Sequence, residues 1–249
     1  MRTFLNHLIC GCTFYLCGMQ RLVVLTGAGI SAESGISTFR DSGGLWEGHR
    51  IEEVASPEGF AANPQLVLEF YNKRRQQLQH VVPNEAHLIL RELEKFYDVT
   101  IVTQNVDDLH ERAGSSKIIH LHGELKYACS SWNRADRVYL GTKDIKLEDL
   151  AADGSQLRPD IVWFGEAVPK MDEAVIATQK ADIFVVVGTS LEVYPAASLV
   201  GFVPYHKPVY IIDPHRHKEL QNPHIHVISK TATEGMRDLY VNLAADEVD

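Results

Sequence analysis

Five short runs rich in β-branched residues recur along the chain: RLVVLT (21–26), DVTIVT (98–103), KIIHLHG (117–123), DIFVVVG (182–188) and KPVYIID (207–213). Most are apolar at odd and even positions alike. A strand that offers apolar side chains to both faces must be covered on both, as in a parallel sheet with helices above and below. The intervening stretches read as those helices. NPQLVLEFYNKRRQQLQ (63–79) opens with an Asn cap and a Pro at the first helical position, and PNEAHLILRELEKF (83–96) repeats apolar residues at helical spacing. The pattern predicts an α/β fold built on a doubly wound parallel sheet. With 249 residues and 45% hydrophobic composition, the chain can bury one large core without disulfides.

Charge narrows the partners. A formal charge of -9 makes the surface repel a polyanion, so nucleic acid is excluded as a partner. No run of about 20 apolar residues exists to span a membrane. Of four cysteines, Cys10, Cys12 and Cys17 fall in the first 18 residues and only Cys129 lies in the body, so no disulfide framework is implied. Residues 1–18 read as a leader or as sequence upstream of the true start, with Met19 standing just before the first strand. A cytoplasmic monomer is the expectation. Scattered histidines such as His87 and His110 read as surface or satisfied core residues.

Ligands of doubly wound sheets bind beyond the carboxyl ends of the strands, which here read TGAG, TQNVDD, HGE, GTS and DPH. Each carries Gly or short polar residues, and together they point to a nucleotide. The usual dinucleotide fingerprint expects an acidic residue ending a second strand about 20 residues on. Instead ESGISTFRDSGGLW (33–46) follows, a long Gly/Ser-rich loop. Such a loop suits a reaction that breaks the cofactor itself, because the bond being broken must be enclosed away from water.

GAGISAESGISTFR, TQNVDDLHERAG, HLHGE, LRPDIVWFGE and VVVGTSLEVYPAA stand in the order and spacing of the sirtuins, NAD-consuming protein-lysine deacylases, and the resemblance runs from about Leu22 to Leu243. It implies a Rossmann-like large domain with small insertions around 40–80 and 124–160, within a single catalytic domain over 19–249. It also implies NAD as cofactor, acyl-lysine proteins as substrates, and nicotinamide, free lysine and 2'-O-acyl-ADP-ribose as products. By the same resemblance His122 is the general base that activates a ribose hydroxyl, and Gln104, Asn105 and Asp107 contact the ribose and nicotinamide. Asn105 and Asp107 also suit helix capping. Gly27, Ala28 and Gly29 let the backbone approach the pyrophosphate, ahead of the N-terminal amides of the next helix. Thr38, Phe39, Arg40 and Trp46 belong to the cofactor loop, Ala32 and Ala232 join the cofactor side, and Gly188, Thr189 and Ser190 resemble adenosine contacts. Asp213 and His215 stand where the family commonly has Asn and an acidic residue; Asp213 can still accept from a ribose hydroxyl, whereas His215 does not replace a carboxylate.

Val162, Phe164, Gly165 and Glu166 read as an edge where the substrate peptide adds as a strand, which predicts unpaired amides there; a buried aromatic turn is the other reading. Tyr71 and Arg74 share a helix face, and Tyr-x-x-Arg ahead of PNEAH resembles the subgroup that removes succinyl and malonyl groups. Lys73 and Arg75 read as a solvated basic face. Most sirtuins hold structural zinc with two Cys-x-x-Cys pairs, and here Cys129 stands alone, with Trp132 where its partner would be. No zinc is expected, and apolar packing around Tyr127, Trp132, Val138, Tyr139 and Leu140 is expected to take over its role. A non-catalytic NAD-binding module and a mono-ADP-ribosyltransferase remain as alternatives.

Overall fold

The computed structural model describes residues 18–38, 45–46, 48–215 and 223–245. The strands are β1 (Arg21–Thr26), β2 (Leu45–Trp46), β3 (His49–Arg50), β4 (Asp98–Thr103), β5 (Ile118–His120), β6 (Gly123–Ser130), β7 (Arg137–Tyr139), β8 (Leu157–Ile161), β9 (Ile183–Val187), β10 (Val209–Ile212) and β11 (Ile225–Ile228). The helices are α1 (Gly29–Ala32), α2 (Ile51–Val54), α3 (Pro57–Ala62), α4 (Pro64–Gln77), α5 (Glu85–Leu93), α6 (Leu109–Ala113), α7 (Met171–Gln179) and α8 (Ala232–Ala245). Among the described residues no helix is long and apolar enough to cross a membrane.

Six strands form a parallel sheet in the order β11-β10-β9-β1-β4-β5. The chain moves outward from β1 through β4 to β5, then returns to the other side of β1 as β9 and continues through β10 to β11. The direction therefore reverses at β1, the position at which open α/β sheets form their ligand crevice. Successive residues of β1 serve opposite cores: Leu22 and Val24 pack with Leu90, Leu93, Met236 and Leu239, and Val23 and Leu25 pack with Ala174, Phe184 and Leu199. This explains the strands that are apolar on both faces. Each fully buried Val or Leu contributes about 1.5–3 kcal/mol, so a one-residue slip of β1 has a large cost.

The expected helices are present with their caps. Asn63 Oδ1 accepts from the Leu66 amide at 3.1 Å and Asn84 Oδ1 from the Ala86 amide at 3.0 Å. The run 117–123 shortens to Ile118–His120, which leaves His122 in a turn beyond the strand. That turn needs Gly123, at φ +82°, because a Cβ there would lie 1.9 Å from the Asp160 carbonyl oxygen.

A smaller antiparallel sheet, β7-β6-β8, shares a core with α4. Val67, Phe70 and Tyr71 pack with Leu125, Ile161 and Trp163, while Leu68 packs with Ala128, Ile145 and Leu157. The expected aromatic packing is corrected here: Trp132 is 88% exposed, and Val138 and Tyr139 are exposed as well, because β7 is an edge strand. Tyr127 meets the Tyr139 ring at 5.2 Å, and only Leu140 packs at the margin of the core. Ion pairs stitch the sheet instead. Arg134 bonds Asp160 at 2.9 Å and Glu166 at 3.1 Å, Arg158 bonds Glu166 at 2.7 Å, and Arg137 bonds Glu124 at 2.7 Å and Asp160 at 2.5 Å.

Arg75 is a second correction. It is fully buried rather than solvated, and donates to the Leu125 carbonyl, to Asn72 Oδ1 at 2.7 Å and to the Lys143 carbonyl at 3.4 Å, so it joins α4 to the small sheet. Burial lowers its pKa to about 10, with Asp144 opposing. Lys73 is exposed as expected. Cys129 is buried, and that burial pushes its thiol up to about 11, which keeps it protonated at neutral pH.

Candidate active site

The loops after β1, β4, β5, β9 and β10 open onto one cavity of about 570 Å³ that also reaches α4 and the 162–166 turn. It is lined by every anticipated site residue that is described: Gly27, Ala28, Gly29, Ala32, Thr38, Trp46, Tyr71, Arg74, Gln104, Asn105, Asp107, His122, Val162, Phe164, Gly165, Glu166, Gly188, Thr189, Ser190, Asp213 and Ala232. Phe39 and Arg40 lie outside the described residues.

At the reversal point the loops after β1 and β9 touch backbone to backbone. Gly188 has φ +69°, and a Cβ on it would lie 2.2 Å from the Ile30 nitrogen; one on Gly29 would lie 2.7 Å from the Gly188 Cα. Glycine here lets two loops close under the cavity. The expected array of open helix amides is corrected. α1 spans only four residues, and the amides of Gly27, Gly29, Ile30 and Ser31 are engaged by the carbonyls of Val187, Gly188, Gly27 and Ala28 at 2.8–3.1 Å. Of the amides of residues 27–31, that of Ala28 has no hydrogen-bond partner among the described residues, and Ala28 lines the cavity, which leaves this amide open to a ligand.

Beside this junction stands a buried polar cluster. Asn105 Nδ2–H donates to Ser31 Oγ at 3.1 Å, and Ser31 Oγ–H donates to Asp107 Oδ2 at 3.0 Å. The Leu109 amide reaches Asp107 Oδ1 at 3.1 Å, so Asp107 also caps α6. Burial raises the Asp107 pKa, while the Leu109 and Ser31 bonds oppose that. Gln104 Nε2–H donates to Thr189 Oγ1 at 3.2 Å and ties the β4 loop to the β9 loop. Asp213 Oδ1 accepts the His215 amide at 2.8 Å, which leaves Oδ2 available to a hydroxyl.

His122 Nδ1 lies 3.0 Å from the Gln104 carbonyl oxygen. A carbonyl can only accept, so Nδ1 carries the proton and Nε2 holds the lone pair, the tautomer of a general base. Burial lowers the His122 pKa and the Gln104 bond partly opposes it, so the ring is neutral at pH 7.

At the α4 end, Tyr71 is fully buried and accepts from Trp163 Nε1–H at 3.1 Å, which leaves its own O–H to donate. Burial raises the phenol pKa, so it stays protonated. The Arg74 guanidinium, 8% exposed, sits 4.5 Å from the Trp46 ring centroid.

The edge reading of 162–166 is corrected. The amides of Val162, Phe164 and Glu166 bond the carbonyls of His122, Ala55 and Trp163, and the Trp163 amide bonds the Glu166 carboxylate at 2.8 Å. Gly165, at φ +90°, is the residue of this stretch whose amide has no hydrogen-bond partner among the described residues. Glu166 folds back because Arg158 and Arg134 hold its carboxylate; burial raises its pKa but these bonds prevail and lower it.

Ser31 was not anticipated, although its place between GAG and AESG is the signal that could have found it. Glu192, Val193 and Tyr194 also line the cavity.

The Sir2 family model matches residues 27–195. An NAD-dependent protein deacylase of Bacteroides thetaiotaomicron is 56% identical over 226 residues, 89% of this chain and 97% of that protein. One of Helicobacter pylori is 56% identical over 225 residues, 90% of this chain and 98% of that protein. Among solved structures, a Sir2 homologue mutant in complex with ADP-ribose superposes with TM-score 0.80 at 39% identity, covering 92% of this chain and 94% of that one. A Sir2 homologue in complex with NAD gives 0.79 at 38% identity, covering 92% and 91%. With the parallel sheet, the backbone contact at its reversal point and the His122 tautomer beside it, these likenesses show that the chain belongs to the Sir2 family, the sirtuins.

Proposed function

We propose that the chain is an NAD-dependent protein-lysine deacylase that removes succinyl and malonyl groups as well as acetyl, releasing nicotinamide, free lysine and 2'-O-acyl-ADP-ribose. The observation that carries this is the joining, in one cavity, of the His122, Asn105 and Asp107 group to the Tyr71 and Arg74 pair. The cavity suits NAD at the Ala28 amide beside the glycine junction, which can donate to a phosphate oxygen, and at Asp213 Oδ2, which can accept from a ribose hydroxyl. NAD supplies a ribose C1' activated by a departing nicotinamide.

The chain's own groups do the rest. Ser31, Asn105 and Asp107 bond one another and so present fixed polar atoms to the ribose and nicotinamide, without reorganisation when the reaction occurs. His122 Nε2 takes a proton from a ribose hydroxyl, and the Gln104 carbonyl holds the ring in the tautomer that can do so. Trp46, Tyr71 and Trp163 are buried and make an apolar lining for the lysine stem and acyl chain. Inside that lining Tyr71 donates a hydrogen bond and Arg74 a charge-assisted one to a terminal carboxylate. The Gly165 amide offers the substrate backbone a donor.

The test is incubation with NAD and lysine peptides bearing acetyl, malonyl or succinyl groups, with nicotinamide and acyl products followed by mass spectrometry. Succinyl-lysine at least as good as acetyl-lysine is expected. Absence of acyl-ADP-ribose with all three overturns the proposal, and transfer of ADP-ribose to protein with the acyl group retained replaces it with ADP-ribosylation.

A further inference from the structure

His120 stands two residues before His122 and lines no part of the cavity, yet it touches the loop that builds it. Its Nε2 lies 2.6 Å from Glu111 Oε1 on α6, and its Nδ1 lies 3.4 Å from the backbone carbonyl oxygen of Asn105. Both partners are acceptors only. A neutral imidazole has a single N–H and satisfies one of them, whereas the imidazolium satisfies both. His120 is the side chain that hydrogen-bonds Glu111; of the cations nearby, Lys126 on β6 pairs with Asp108 and also faces Glu111, and Arg137 on β7 pairs with Glu124 at 2.7 Å.

We propose that His120 is a positioning residue that acts in its protonated form, the Glu111-paired imidazolium holding the Asn105 carbonyl and thereby setting the loop that presents Asn105 and Asp107 to NAD. The Asn105 backbone is then held on both sides of its Cα, because its amide donates to Thr103 Oγ1 at 3.0 Å. The bond to the carbonyl is long, so the charge on the ring contributes more than the contact does.

The groups facing His120 come from every element packed on it. Glu111 and His110 face it from α6, Asn105 and Asp107 from the β4 to α6 loop, and Glu124 from β6. Burial opposes the charge on His120, but the hydrogen bond and charge of Glu111, with Glu124 behind it, prevail and raise its pKa above the usual 6.5. His122, on the other side of Leu121, is lowered. The two histidines of HLHGE thus titrate in opposite directions. Activity falls on the acid side when His122 gains a proton and on the alkaline side when His120 loses one.

This inference rests on the assignment of Asn105 to the cofactor. The test follows His120 by NMR through its ring Cε1–H, assigned by its loss in His120→Gln, alongside the pH dependence of KM for NAD and of kcat. In the wild type, KM for NAD is expected to rise about 3- to 10-fold as His120 loses its proton, with kcat changed less. Glu111→Gln keeps an acceptor but removes its charge, so the alkaline limb and the NMR titration should move down together by about one pH unit or more, with an unchanged melting temperature. His120→Gln carries both of its N–H donors on a single nitrogen, which cannot reach acceptors on opposite sides of the site, and should show the raised KM at every pH, without the limb. A His120 titrating at or below 6.5, or a KM limb that stays in place in Glu111→Gln, overturns the inference and leaves the Asn105 assignment standing. An unchanged KM in Asn105→Ala overturns both.

Discussion

Replacing Arg74 by Met tests the acyl pocket at its most exacting point. The guanidinium is 8% exposed, stacks 4.5 Å from the Trp46 centroid and shares the cavity with the Tyr71 hydroxyl. A succinyl carboxylate entering this lining leaves water and recovers that cost only from donors in place, so loss of its charged partner costs about 1.5–3 kcal/mol. That corresponds to roughly 10- to 150-fold in kcat/KM for the succinyl substrate. Acetyl-lysine brings only a methyl group to the same place and is expected to change less than about threefold, because Met retains the aliphatic contact with Trp46. The lost cation–π contact, about 0.5–2 kcal/mol, affects both substrates equally through stability and cancels in their ratio. The assay is therefore that ratio, measured with one enzyme preparation against matched succinyl and acetyl peptides. A ratio that moves by less than about threefold refutes the reasoning, whatever happens to the individual rates. Tyr71→Phe removes one neutral donor and leaves the Trp163 indole N–H without its acceptor, so it should shift the ratio in the same direction by about 1 kcal/mol, roughly fivefold.

His122→Ala should lower kcat about 10²- to 10⁴-fold while NAD binding, measured by calorimetry, stays within a few-fold; near-normal turnover removes the assigned role. His87 is fully buried, and burial lowers its pKa to about 4. The unfolded imidazole binds a proton below about 6.5 and the folded one only below about 4, so roughly 3 kcal/mol of stability present above pH 6.5 is lost as pH falls to 4. Urea midpoints across that range should fall in the wild type and much less in His87→Phe, and parallel curves contradict the account. The chain is expected to fold without zinc, so chelation should leave its melting transition unchanged; about one zinc per chain by elemental analysis, with loss of structure on chelation, defeats that expectation.

What the sequence made legible follows from which interactions leave a periodic trace. The parallel strands were readable because both faces of β1 and β9 are buried, so their residues had to be apolar throughout. The cavity was readable because its loop ends carry Gly where two loops close backbone to backbone, and Asn and Asp where polar side chains bond one another at the rim. The paired histidines leave no such trace: His87 and His110 belong to the core, as one of the two expectations had it, but with rings 4.9 Å apart and one buried nitrogen each lacking a hydrogen-bond partner among the described residues, while His110 Nε2 lies 3.1 Å from Thr26 Oγ1. Nothing in the spacing of two histidines 23 residues apart marks them as neighbours.

The small lobe was read least well, and for a definite reason. LRPDI, which forms β8, contains Arg158 and Asp160, each 5% exposed, and a Pro, so it has neither the alternation nor the composition of a strand. The same pattern hid Arg75 on α4. Charges in such places are tolerable only when partners from distant parts of the chain meet them, because a buried ion alone costs several kcal/mol. Those partners, Arg134, Arg137 and Glu166 for β8 and the carbonyls of Leu125 and Lys143 for Arg75, become adjacent only after the lobe has folded. Removing one member of such a network leaves the others uncompensated. Arg134 and Arg158 hold Glu166, Glu166 receives the Trp163 amide, and the Trp163 indole holds Tyr71, so the ion pairs that stitch the lobe beside its apolar core also fix the wall of the acyl pocket.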